Sequence, residues 1–205
     1  MKGVLLASGG IDSPVAGYMM IERGLEIVGI HFDNRPLIDY KPLEKTKRLL
    51  RKIGVKKLYV IKHGKIQLDI IKNCFRRYQC VICRRMMFRI AEKIAKKEKC
   101  DFLVTGESIG QVCSQTLDNL TNAAKAVKIP ILRPLLCNDK QETVDLAKKV
   151  GTYDISIEHG TCCKAVPRHP ATRTKMEKIE REENRIGIKK IVDGAVKTAE
   201  VVNLG

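Results

Sequence analysis

The feature that most constrains this chain is an alternation. Short apolar runs at 4–7 (VLLA), 26–32 (EIVGIHF), 57–62 (KLYVIK), 101–106 (DFLVTG) and 131–136 (ILRPLL) are separated by helical patterns at 12–23, 40–53, 65–78, 84–98, 108–120 and 140–150. Apolar runs this short read as buried strands, and a helix between successive strands implies parallel pairing. The expected fold is α/β, an open and mostly parallel sheet with helices on both faces. In such sheets ligands gather at the carboxyl ends of the strands, where strand order reverses. The clusters SGGIDS (8–13), HFDN (31–34) and TGES (105–108) each follow a strand directly, so all three are expected on one edge.

The 205 residues suit one large α/β domain, read here as 1–171, with 172–205 as a C-terminal helical extension of the same domain. Residues 152–171 lack periodicity and carry Gly160, Cys162, Cys163, Pro167 and Pro170, which predicts a loop. The stretch TRTKMEKIEREENR has only Met176 and Ile179 as apolar anchors, which predicts a mostly solvated helix.

Lys and Arg exceed Asp and Glu by 39 to 23, a formal charge of +16, which favours a polyanionic partner. The charge is concentrated: 41–57 holds eight basic residues against one acid, and 76–89 holds five against none. Thermophile-type lysine enrichment would bring matching glutamates, which are lacking. With 4% aromatics and no Trp, a stacking platform for single strands is disfavoured, and a folded RNA gripped through its phosphates is expected. No run of about 18 apolar residues occurs, which predicts no membrane span and a cytoplasmic location. In that reducing compartment the eight cysteines read as metal ligands or reactive thiols rather than disulfides, with Cys74, Cys100, Cys113 and Cys137 as small buried hydrophobes.

Between the first strand and the first helix lies SGGIDS. Such a turn gathers backbone N–H groups and a helix N-terminus around one point, which suits a phosphate. Gly9 and Gly10 let backbone approach closely, Ser8 and Ser13 supply hydroxyls, and Asp12 either caps the helix or holds Mg²⁺ on the phosphates. No GxxxxGK[ST] and no GxGxxG is present, which excludes the Walker and dinucleotide readings.

SGGIDSPVA instead resembles the PP-loop of enzymes that split ATP between its α- and β-phosphates. The stretches from Phe88 to Leu120, from Leu132 to Cys163, and PRHPAT at 167–172 resemble the catalytic domain of the tRNA 4-thiouridine synthetase (tRNA sulfurtransferase) family over nearly the whole chain. That resemblance implies that Ser8, Gly9, Gly10, Asp12 and Ser13 hold the ATP phosphates and that Leu6, Ala7, His31 and Phe32 line the adenosine. It also implies nucleotide positions at Arg84, Gly106 and Gln115, and an adenylation lysine at Lys140, whose plainer reading is a solvated helix start. Cys163, or Cys162, falls where the family keeps a sulfur-handling cysteine.

CVICRR (80–85) departs from many bacterial relatives and resembles an archaeal version linked to an iron–sulfur cluster. In that reading Cys80, Cys83 and Cys163 are cluster ligands, with Cys83 at a helix N-terminus beside Arg84 and Arg85. A redox or persulfide pair and half of a structural zinc site remain open alternatives for the CxxC. The implied partners are tRNA and a sulfur donor, either sulfide or a persulfide carrier, with room for a homodimer. The THUMP and rhodanese modules common in the family are absent from the sequence, so a separate THUMP-type protein or the basic surface itself is expected to supply RNA recognition. A PP-loop enzyme acting on a small molecule or carrier protein, and a nucleotide-binding iron–sulfur protein without turnover, are the alternatives.

Overall fold

The structure is a computed structural model that describes residues 1–159 and 165–205. Six strands form one sheet in the order β5-β4-β1-β2-β3-β6: β1 (Lys2–Ala7), β2 (Glu26–Asp33), β3 (Lys57–Lys62), β4 (Phe102–Val104), β5 (Ile131–Leu132) and β6 (Glu200–Asn203). The first five pair in parallel, and β6 runs antiparallel along β3. The chain builds outward from β1 through β2 and β3, then crosses back to lay β4 on the other flank of β1. Strand order therefore reverses between β1 and β4, and the parallel pairing puts the polar clusters after β1, β2 and β4 at one edge, as expected.

Alternate strand residues feed two cores. Val4, Leu6, Val28, Ile30 and Ile61 face one side, under α3 (Gly64–Asn73), α4 (Gln79–Glu98), α8 (Met176–Glu183) and α9 (Ile188–Lys197). Leu5, Ala7, Ile27, Leu58 and Val104 face the other, under α1 (Asp12–Ile21), α2 (Lys41–Lys52) and α6 (Lys140–Val150). Both faces being covered explains the near-continuous apolar runs. α6 has the bounds its sequence predicts because both ends are coded locally. Asp139 and Glu142 form a capping box, and Gly151 closes the helix at φ +74°, a region open to glycine.

Elsewhere the structure corrects the sequence reading. The helix expected over 65–78 breaks after Asn73 because Cys74 and Phe75 turn extended, with Phe75 N donating to Glu182 Oε2 at 2.6 Å. α4 starts at Gln79, not residue 84, so Cys80 and Cys83 both lie within its first turns. The helix expected over 108–120 is instead a short turn at Cys113–Gln115 followed by α5 (Leu117–Ala124), capped by Thr116 accepting from Asn119 N. β5 stops at Leu132, short of Pro134, which cannot donate to a ladder. The predicted 152–171 loop contains a short helix, α7 (Tyr153–Ile157), and the C-terminal stretch ends in a strand, β6.

α8 exposes Glu177, Lys178, Glu180 and Arg181 to solvent, as expected, but it also has a buried face. Ile179 is fully buried, and Glu183 is buried where it meets Arg85 (Nε 2.8 Å) and Arg89 (Nη1 2.6 Å) of α4. Burial alone would raise the Glu183 carboxyl, but hydrogen bonds from Arg89 and Arg85 outweigh it and hold the group below the usual carboxylate range. Removing one partner of a buried pair costs about 3–5 kcal/mol, so Glu183→Ala should lower the melting temperature by roughly 10 °C. Because the folded value is depressed, this stabilisation is complete above the unfolded value of about 4.3 and fades as pH falls below it. Thermal melts of both proteins at pH 7 and below pH 4 check both statements.

Candidate functional site

The SGGIDS turn is organised by its own hydroxyls. Ser13 Oγ accepts from Ser8 N at 2.8 Å and lies 3.1 Å from Ser8 Oγ, which accepts from Gly10 N at 3.3 Å. Asp12 does not cap α1: it sits in the first helical turn, and Ile11 occupies the cap position. The Asp12 carboxylate instead accepts from Lys140 Nζ at 2.9 Å, across 128 residues of sequence. The start of α6 thus delivers a cation to the start of α1. Gly106, in the turn after β4, packs against the same point, and a Cβ there would lie 2.6 Å from the Asp12 carbonyl carbon. Only glycine lets the β4 turn come this close.

These turns wall a cavity of about 590 Å³, within the range of small-molecule sites. Every nucleotide position carried over by resemblance lies on it: Leu6, Ala7, Ser8, Gly9, Gly10, Asp12, Ser13, His31, Phe32, Arg84, Gly106 and Gln115. His31 is buried, its Nδ1 lies 3.1 Å from Ala7 O, and burial holds the ring below its usual pKa. Burial thus favours the neutral ring, and Thr46 Oγ1 lies 3.2 Å from the same nitrogen.

Three residues in or directly behind this cavity escaped the sequence reading: Lys45 and His63 line it, and Glu107 lies buried behind Arg84. Lys45, which there was one charge among eight, is buried: Nζ donates to Ser156 O at 2.9 Å and Glu158 O at 2.7 Å, and its Cβ would lie 3.3 Å from a Cβ at Gly9. His63 is buried edge-on to Phe32, with Nε2 3.1 Å from Cys83 Sγ, and burial pushes its pKa down to about 4. Glu107 is fully buried; it accepts from Arg84 Nε (2.7 Å), Arg133 Nε (2.8 Å) and Thr105 Oγ1 (3.0 Å). Burial would raise Glu107, but the two arginines outweigh it and keep the carboxylate ionised. An apolar neighbourhood in the sequence was the only signal for His63, and it does not distinguish a site from a core.

A second cavity of about 290 Å³ adjoins the first and shares Gln67, Cys83, Arg84, Met87 and Gln115 with it. Cys80 and Cys83 line it, as do Ala165 and Val166. Cys162 and Cys163 lie outside the described residues. Among the described residues, no group of three His, Cys, Asp or Glu side chains is placed to hold a metal ion. Of the other cysteines only Cys74 is buried as expected; Cys100 and Cys113 are half-buried and Cys137 is exposed, contrary to expectation, and burial pushes the Cys74 and Cys100 thiols to about 11.

The basic clusters divide. In 76–89, Arg84, Arg85 and Arg89 are engaged internally with Glu107 and Glu183, leaving Arg76 and Arg77 exposed. In α2, Lys41, Arg51 and Lys52 are exposed, while Arg48 pairs with Glu158. No helix among the described residues is long and apolar enough to cross a membrane.

The sequence model of the family described as thiamine biosynthesis protein (ThiI) matches residues 1–188. The chain belongs to this family. It is 42% identical over 99% of its length to a probable tRNA sulfurtransferase of Moorella thermoacetica, of which it covers 54%. It is likewise 42% identical over 99% of its length to one of Acetivibrio thermocellus, covering 53%. It thus spans about half the length of the curated relatives it matches. A crystal structure of a 4-thiouridine synthetase in complex with RNA and bound ATP superposes with a TM-score of 0.93 at 38% identity, over 98% of this chain and 54% of that one. An NMN synthetase from Francisella tularensis matches at a TM-score of 0.58 and 13% identity, which shows the shared α/β fold alone. For this ThiI-family chain, the open, mostly parallel sheet and the PP-loop turn expected from sequence are both borne out.

Proposed function

We propose that this ThiI-family chain is the catalytic unit of an ATP-dependent tRNA thiolase that makes 4-thiouridine. The observation that carries this reading is the pairing of Lys140 with Asp12, which lines the PP-loop cavity, in a chain 38% identical to a synthetase holding ATP and RNA. ATP lies with its phosphates on the turn 8–13 and its adenosine against Leu6, Ala7, His31 and Phe32. Asp12 would offer hard carboxylate oxygen to a bound Mg²⁺, which would neutralise phosphate charge, and Lys140 neutralises charge at the α-phosphate. The uridine O4 attacks the α-phosphorus and pyrophosphate departs, leaving an adenylated base. Sulfur then adds at C4, and AMP leaves with the former carbonyl oxygen. Adenylation makes a poor leaving oxygen into a good one.

For the sulfur step, Cys80 and Cys83 fit a cluster in donor type and in their shared position on the smaller cavity, whose walls include Ile70, Ile71, Met87 and Val112. They supply two thiolates, and Cys163, or Cys162, is the proposed third. A bound iron–sulfur cluster with one iron free of protein ligands would supply an open position for exogenous sulfide. Glu158, which lines the larger cavity, and Ala165, which lines the smaller, flank Cys162 and Cys163 in sequence and support this reading.

tRNA is proposed to lie on the exposed cations, including Lys41, Arg51, Lys52, Arg76 and Arg77, in the cytoplasm. Each phosphate neutralised on a duplex contributes about 0.9 to the slope of log K against log salt. Affinity for tRNA should therefore fall at least about tenfold between roughly 50 and 200 mM salt, as a filter-binding titration would read. A flat titration assigns the charge to something else.

Mass spectrometry of tRNA nucleosides from cells lacking this protein is the deciding experiment: loss of 4-thiouridine is expected, and unchanged thionucleosides remove the proposal. The family description names thiamine biosynthesis, which favours a second acceptor, a sulfur carrier or small molecule. That reading predicts ATP–pyrophosphate exchange without tRNA.

A further inference from the structure

The buried Glu107 carboxylate serves two guanidiniums that face different places. Arg84 lines both the nucleotide cavity and the cysteine cavity, whereas Arg133 lines neither and borders a separate groove beside α5. Arg84 binds Glu107 through Nε, so its two terminal nitrogens stay available to the cavities. Its Cζ also rests 5.4 Å from the centre of the buried Phe88 ring, which fixes the guanidinium from a second side.

Glu107 is itself fixed to the phosphate turn. The preceding Gly106 lies so close to Asp12 and Ser13 that a Cβ would come within 2.6 Å of Asp12 backbone and 2.7 Å of Ser13 N. The turn that carries Glu107 is thus packed directly on the N-terminus of α1, and Glu107 in turn binds Arg84.

We propose that Glu107 is a positioning residue for nucleotide binding: it holds Arg84 at the wall between the two cavities, with the terminal guanidinium nitrogens presented to the bound nucleotide. The proposal rests on the nucleotide reading of the larger cavity. A fork held in one orientation by a buried carboxylate gives directed, paired hydrogen bonds to an anion, which a mobile cation of equal charge does not. Arg133 shares the carboxylate but not the cavity, so Glu107 reaches the nucleotide through Arg84.

A double-mutant cycle on ATP affinity, read by calorimetry with melting curves alongside, tests this. Glu107→Gln should weaken ATP binding at least about tenfold, and adding it to Arg84→Met should weaken binding no further than Arg84→Met alone. Additive losses, or wild-type affinity in folded Glu107→Gln, would overturn the proposal. If Glu107→Gln fails to fold, Arg84→Lys decides, since it keeps the charge and loses the Nε fork: a similar loss is expected, and undiminished affinity overturns the proposal. Failure of the wild-type chain to bind ATP at all would instead remove the nucleotide reading, and this proposal with it.

Discussion

Asp12→Ala should stop pyrophosphate release, by on the order of 10³-fold, while leaving the fold intact. Two properties of the site set this expectation. Asp12 is the proposed oxygen donor to Mg²⁺ on the leaving phosphates, and it is also the cavity residue that holds Lys140 Nζ at 2.9 Å. Its loss removes the metal's anchor and leaves the lysine without a fixed aim. Stability should hardly change: the Asp12 and Lys140 side chains are 26% and 53% exposed, and such pairs contribute about 0–1 kcal/mol. Steady-state pyrophosphate release with tRNA and ATP, beside a thermal melt, checks both halves. A folded variant with normal release would show that the PP-loop assignment of this turn is wrong.

Cys80→Ala should abolish thiolation while preserving ATP binding. Cys80 lines the smaller cavity but not the nucleotide cavity, so the substitution leaves the phosphate turn untouched. Anaerobically purified protein should be brown and carry iron and sulfide, and the variant should lose the colour, both elements and thionucleoside formation together. Calorimetry should still give wild-type ATP affinity. Thiolation surviving in the colourless variant would overturn the cluster and leave a persulfide route, with Cys163 as carrier. Loss of ATP binding as well would point to a collapsed α4 rather than to sulfur chemistry.

Much of the site was legible because its parts are coded locally. SGGIDS follows a strand and precedes a helix, and that order alone fixes a turn with converging N–H groups. Asp139, Glu142 and Gly151 set the ends of α6 through contacts a few residues apart, which places Lys140 at a helix start. None of these depends on a partner far away in sequence.

What the sequence by itself determined, then, was the α/β class, the phosphate turn and the residue types gathered around it, since period, capping and turn chemistry act over a few residues. Tertiary structure alone decided the pairings. Glu107, Lys45 and His63 read in the sequence as ordinary polar residues, yet burial makes one a clamp on two arginines, one a tie to the end of α7, and one a neutral neighbour of Cys83. The same holds for α8, whose charged sequence suggested solvent until Arg85 and Arg89 met Glu183 across about a hundred residues. A buried charge is tolerable only where opposite charge and hydrogen bonds offset its desolvation. Which side chains meet to do so is settled by how the helices cross the sheet, and no local pattern records that.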